Sequence, residues 1–177
     1  EFAIDKNNRL YSFQVRPISV KHDGSINISD QKIFNLIDKA KDKFLNLQNN
    51  NMHLGRYTIF SNMTDWNPAE IIGTHPNTLA YSLYKHIITN DVWALQRKEF
   101  GYRDLGSTPL MVNFSGQPYI DCRASINSFI PKNLPNSTAE RLINAYLEIL
   151  KKNPHLHDKL ELEVVFTIWE PNFSNIA

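Results

Sequence analysis

The amino-acid sequence predicts an α+β fold, with antiparallel β-hairpins packed with several amphipathic helices. Three observations lead there. Two stretches alternate apolar and polar residues on either side of a turn-rich centre. Other stretches repeat apolar residues every three or four positions. Strands and helices do not alternate regularly, which argues against a doubly wound parallel sheet. At 177 residues and 42% hydrophobic, the chain can bury one core, or one domain with a trailing piece of another.

The first hairpin is predicted from Glu1 to Arg16, with Glu1–Asp5 and Leu10–Arg16 flanking Lys6-Asn7-Asn8-Arg9. If Asp5 pairs with Leu10, Ile4 falls opposite Tyr11, Phe2 opposite Phe13 and Glu1 opposite Gln14. Phe2, Ile4, Tyr11, Phe13 and Val15 then share one face, and Glu1, Gln14 and Arg16 the other. After Pro17 and the polar stretch KHDGSINIS, a helix is expected over 30–49, capped by Ser29 or Asp30. Its stripe is Ile33, Ile37, Ala40, Phe44 and Leu47.

A short strand is expected around Tyr57 to Phe60, followed by TDWNPAEIIG, whose Asn67-Pro68 reads as a turn or helix start and whose Gly73 as a stop. A helix over 78–89 would carry Leu79, Leu83 and Ile87 on one stripe, widened by Tyr84 and Ile88, and NDVWALQRKEFG reads as a second helical piece. PLMVNFSGQPYIDCRAS is the second hairpin, turning at Ser115-Gly116-Gln117. Leu110, Val112 and Phe114 share a face continued by Ile120, Cys122 and Ala124, while Asn113, Asp121 and Arg123 project from the other. The capping-box pattern Ser137-Thr138-Ala139-Glu140 announces a helix over 138–153, and Lys159 to Trp169 alternates as a last strand.

Nineteen basic and eighteen acidic residues leave a formal charge of +1, with no run of five like charges, so nucleic acid and acidic membrane surfaces are poor partners. No stretch approaches the roughly 18 to 20 apolar residues of a membrane span, and no secretory leader precedes the first strand, so a cytoplasmic protein is expected. The lone Cys122 has no partner for an internal disulfide and reads as a small buried hydrophobe. Glu1 opens directly into strand-like sequence, which suggests a piece of a longer chain, or a Glu1-Phe2 cloning remnant.

Chemistry concentrates in few places. A carboxylate, an amide and a guanidinium on one hairpin face suit a nucleotide triphosphate, since they supply an oxygen ligand for Mg²⁺, a neutral hydrogen-bonding group and a fork for phosphate oxygens. Equally, they suit an ordinary wet strand face. Asp65, Asn67 and Glu70 around Trp66 either form a polar pocket or cap the helix that Pro68 begins, with Asp65 as the cap. Arg103-Asp104 and Asp121-x-Arg123 bind an anionic substrate or pair with each other as salt bridges. Together Asp65, Asn67, Arg103, Asp121 and Arg123 are the candidates for a substrate cleft. His155-Leu156-His157-Asp158 resembles a metal cluster but sits beside Pro154 in what reads as an exposed loop.

EFAID followed by LYSFQVRPIS resembles the end of the ATP-grasp nucleotide-binding domain in the phosphoenolpyruvate synthase and pyruvate phosphate dikinase family, where an acidic strand residue precedes a Gln-x-Arg-Pro motif. The resemblance implies that Glu1 ligates Mg²⁺ and that Gln14 and Arg16 contact the phosphates of ATP. MTDWNPAEIIG, GYRDLG, PYIDCRASINSFIP and LHDKLELEVVFT resemble the region that follows the nucleotide domain in such proteins. Residues 1–20 are thus expected to be the terminal hairpin of an ATP-grasp domain and 21–177 a central α+β domain. The family's phosphoryl-carrying histidine lies in a separate swivelling domain, and no motif for it occurs here. The implied partners are an upstream ATP-grasp domain, a downstream phosphohistidine domain and a small-molecule acceptor such as pyruvate. Mg-ATP would serve the parent, and no cofactor is expected in this piece alone. The alternative is a non-catalytic substrate-binding or linker module.

Overall fold

The computed structural model describes residues 2–13, 15, 28–49 and 52–159. Glu1, Gln14 and Arg16 lie outside the described residues, as does the expected last strand from Leu160 onward. The chain divides into two units, residues 1–33 and 34–177.

The first unit holds β1 (Phe2–Ile4) and β2 (Leu10–Ser12), an antiparallel hairpin. Its register is one residue away from the expected one: Phe2 pairs with Ser12, Ala3 with Tyr11 and Ile4 with Leu10. The cause is Asp5. Its carbonyl accepts from Asn8 N–H and its own N–H donates to Arg9 carbonyl, each at 3.0 Å, closing a three-residue loop instead of four. Its Oδ1 also accepts from the N–H groups of Asn7 (2.8 Å) and Arg9 (2.9 Å), and Asn8 takes the left-handed φ of 60° that such a loop needs. The Arg9 N–H above all, helped by Asn7 and the Tyr11 hydroxyl, holds the Asp5 carboxyl below its usual range. A one-residue slip exchanges faces, so Phe2 and Ile4 are parted from Tyr11. Phe2 (69% exposed), Ile4, Leu10 and Phe13 all stand open.

The division between the units falls within α1 (Asp30–Gln48). Its start is as expected, with the Ser29 carbonyl accepting from Lys32 and Ile33. In the second unit, Phe44 of α1 meets Phe60 edge-on at 5.6 Å, and Gln48 clamps both backbone groups of Thr58 at 2.8 and 2.9 Å. A three-stranded antiparallel sheet, in the order β3-β5-β4, comprises β3 (Phe60–Ser61), β4 (Met111–Phe114) and β5 (Gln117–Asp121). The β4–β5 turn is Ser115-Gly116 alone, both at positive φ (52° and 94°), with Gln117 already paired to Phe114. Such a turn matches the strand twist, and its register puts Ile120 opposite Met111 rather than beside Val112.

The helices around the sheet are α2 (Pro68–Ile71), α3 (Thr78–Tyr84), α4 (Val92–Glu99), α5 (Cys122–Ser128) and α6 (Asn136–Lys152). The helix expected over 78–89 passes after Tyr84 into a π-turn, Lys85–Thr89. Its core face is Tyr84 with Tyr81 and Ile88, so the two residues read as widening the stripe face the core, while Leu79, Leu83 and Ile87, read as its centre, are exposed. The expected continuation of the second hairpin past Asp121 is in fact α5. All seven of its residues are buried, and a helix enclosed all round carries no polar-apolar period to betray it.

The helix α6 starts at Asn136, earlier than the capping-box pattern implied. Pro135 stands at the cap with no side-chain hydrogen bond, and its carbonyl accepts from Ala139 N–H at 2.9 Å. Ala139, Ile143, Leu147 and Leu150 of α6 pack with Cys122, Ile126, Phe129 and Ile130 in one core cluster. Trp93, Ala94, Leu110, Met111, Ile120 and Ala124 form a second, and α5 supplies residues to both. Among the described residues no helix is long and apolar enough to cross a membrane.

Candidate functional site

The five residues expected to form a substrate cleft do not meet in one. Asp65 is buried, and its carboxylate takes a two-pronged contact from Arg97 on α4: Nη1 to Oδ2 at 2.8 Å and Nη2 to Oδ1 at 2.5 Å. Ser125 Oγ donates to Oδ2 at 2.6 Å, and Arg97 also reaches the Ser128 hydroxyl. The guanidinium lies 3.9 Å from the Phe129 ring centroid and 5.4 Å from that of Trp93. A buried pair endures desolvation only when its members are well hydrogen-bonded, and here the carboxylate accepts from Arg97 and Ser125 while the guanidinium also reaches Ser128 and two aromatic faces.

The chain bends sharply to present that carboxylate. Asp65, Trp66 and Asn67 all have positive φ (38°, 57° and 20°), a conformation costing non-glycine residues about 1–2 kcal/mol each. It is held from three sides: Asp65 by Arg97, the Trp66 carbonyl by the Tyr84 hydroxyl, and Asn67 by its cap. Burial, with the Asp65 charge nearby, pushes the Tyr84 phenol up to about 12. Asn67 Oδ1 accepts from Glu70 N–H at 3.2 Å, so Asn67, not Asp65, caps α2.

Asp121 and Arg123 are structural too, and do not pair with each other. Asp121 Oδ1 caps α5 through Ala124 N–H (3.0 Å) and accepts from the Thr58 hydroxyl (2.5 Å). Arg123, 1% exposed, donates to the carbonyls of Leu47 (2.9 Å) and Gly55 (3.3 Å), stitching the end of α1 and the following loop to α5. Gly55, at φ 107°, leaves the room this requires: a Cβ there would meet Ile143 Cγ2 at 3.0 Å and Arg123 Cδ at 3.3 Å.

Arg103 lines a cavity of about 490 Å³, together with His53, Asp104, Asn127, Lys132 and Asn136. Backbone pairing builds its wall. Tyr102 bridges Pro131, Arg103 N–H donates to Ile130 carbonyl (2.9 Å) and Lys132 N–H to Gly101 carbonyl (3.0 Å). In such an antiparallel ladder Arg103 and Lys132 are diagonal neighbours on the same side. Asn127 fixes the opposite rim by exchanging bonds with both backbone groups of Leu54 (2.8 and 3.2 Å).

The Arg103-Asp104 pair expected from sequence does not form. Asp104 binds Lys98 at 2.5 Å, and the Lys98 ammonium chiefly, with the Gly106 N–H, lowers its pKa. Arg103 Nη2 donates to Asn136 Oδ1 and, at 3.4 Å, to the Leu134 carbonyl, and Arg103 makes no ion pair among the described residues. Its Nε and the Nε2 of His53 are buried without a hydrogen-bond partner, an omission worth about 1–3 kcal/mol for such an atom. Burial lowers the His53 pKa below its ordinary 6.5, the Asp121 charge opposing and the Arg123 charge reinforcing.

Sequence reading missed Arg97, His53, Lys132 and Asn136. Only Arg97 left a trace, four residues after Trp93 on a helix face otherwise apolar. Beyond this cavity, an apolar groove lies between α1 and the sheet, lined by Ile37, Phe44, Phe60, Phe114 and Tyr119. His155 and His157 fall in and just after a 3₁₀ turn (Pro154–Leu156), where the His157 carbonyl accepts from Thr64 Oγ1 at 2.6 Å. No group of three or more His, Cys, Asp or Glu is placed to hold a metal among the described residues. Burial pushes the Cys122 thiol well up. No family model, curated protein or solved structure matches the chain.

Proposed function

We propose that the chain is part of a cytoplasmic phosphoenolpyruvate synthase-like, ATP-dependent phosphotransferase. Residues 1–20 would close its ATP-grasp nucleotide-binding domain, and residues 21–177 would be the α+β region that follows. Glu1 would offer a carboxylate oxygen to Mg²⁺, and Gln14 and Arg16 would hold phosphate oxygens as charge develops on them. The phosphoryl group would pass to a histidine in another domain of the same parent and then to pyruvate or another small acceptor.

The observation that carries this reading is the hairpin itself. In sequence, QVRP follows a β-hairpin closely, and the large apolar side chains of this stretch, Phe2 and Phe13 at 69% exposed and Val15 at 84%, stand open. Exposed apolar side chains of this size support a reading in which further protein covers them, as the rest of a nucleotide domain would. In the full-length parent, Arg16→Ala should abolish labelling by γ-labelled ATP and leave the circular dichroism spectrum intact, and undiminished labelling would refute the assignment. The 177-residue chain alone should bind Mg-ATP far more weakly than micromolar, since one hairpin cannot enclose a nucleotide.

A second reading takes residues 24–177 as a non-catalytic binding or linker module. The internal roles of Asp65, Asp121 and Arg123 favour its linker version, and they remove the support for a substrate cleft built from the five residues named from sequence.

A further inference from the structure

We propose that the cavity beside Arg103 and Lys132 is a binding site for a small oxyanion, a phosphate or carboxylate group carried by a compact metabolite. Its charge is the first reason. Arg103 and Lys132 stand on the same side of the 101–103 and 130–132 ladder, and Asp104, the carboxylate on that wall, is held by Lys98.

The unfilled donor is the second reason. Arg103 Nε–H lacks an acceptor although Nη2 is engaged by Asn136 and Leu134, so the guanidinium is already oriented while one donor remains open. The His53 ring, whose Nε2 is likewise unpartnered, lines the same cavity and can meet either a protonated or an ionised oxygen. Asn136 is also the first residue of the 17-residue α6, whose Pro135 cap brings no side-chain acceptor, so the positive end of that helix borders the cavity. Asn127 ties the 54 loop to α5 and fixes the rim in advance. A cavity of about 490 Å³ admits a small metabolite and not a polymer. This proposal stands on the cavity's own geometry and holds or fails separately from the phosphotransferase reading.

The test is a titration of the full chain with inorganic phosphate and, separately, with acetate, at ionic strength held constant with sodium chloride. The Arg103 Nε–H and His53 ring resonances are followed by NMR. Saturable shifts are expected. Saturation by phosphate alone identifies a phosphate ester as the ligand class, by acetate alone a carboxylate, and by both an oxyanion of either kind. Arg103→Gln should weaken binding about tenfold, the worth of a charge-assisted hydrogen bond, and Lys132→Gln about threefold. Lys132 is exposed, so its variant keeps the test decisive should Arg103→Gln fail to fold. No saturation by either anion, saturation matched by chloride, or affinity unchanged in the folded variants would each overturn the proposal.

Discussion

Arg97 and Arg103 lie six residues apart, and the fold treats them in opposite ways. Arg97 is buried in a complete setting: two contacts to Asp65, one to Ser128 and two aromatic faces. Arg103 is half-buried with its neighbouring carboxylate held elsewhere and its Nε unfilled. Arg123 also has an unpartnered Nε but is enclosed in the fold, so what sets Arg103 apart is an unfilled donor on a side chain that lines a cavity.

The largest effect should come from breaking the complete set. Asp65→Ala leaves the Arg97 charge buried and should cost about 3–5 kcal/mol in urea unfolding. A loss under about 1 kcal/mol would erase the contrast. Asp121→Ala removes the α5 cap and the Thr58 bond together, with an expected loss of about 1–3 kcal/mol by the same measurement. Arg103→Gln should change stability by less than about 1 kcal/mol, because it removes an unfilled donor along with one good contact. A loss as large as that of Asp65→Ala would make Arg103 a structural residue like Arg97.

The smallest effect is a pH dependence. With its folded-state pKa below 6.5, His53 takes up its proton more readily in the unfolded chain. Its contribution is therefore complete above about pH 6.5 and is lost as the pH falls through the lowered folded-state value. Urea midpoints measured between pH 7 and pH 5 should fall less steeply for His53→Gln than for the natural sequence, and parallel curves would show that the imidazole is not held neutral.

The α+β class was legible because alternation and three-four spacing survive in amphipathic elements such as α6 and β4–β5. The helix α5 was illegible for the opposite reason, being buried all round, and so DCRAS read as more strand. In the first hairpin the turn residues were read correctly, but the bonds of the Asp5 side chain shortened the loop by one residue and exchanged the faces. Of the candidate site, only the adjacent Arg103 and Asp104 were found, because a cavity is made by distant segments and local spacing cannot report which of them approach.

The sequence by itself thus determined the class of fold, most helices and turns, and the motif on which the phosphotransferase proposal rests. These depend on short-range properties: period, capping and turn chemistry. Only the tertiary structure decided which charges are complete and which are open. It joined Asp65 to an arginine 32 residues away and Asp104 to Lys98, leaving Arg103 beside Lys132. The partner a charged side chain finds depends on long-range packing, because desolvation makes a buried pair form only where the fold can complete it.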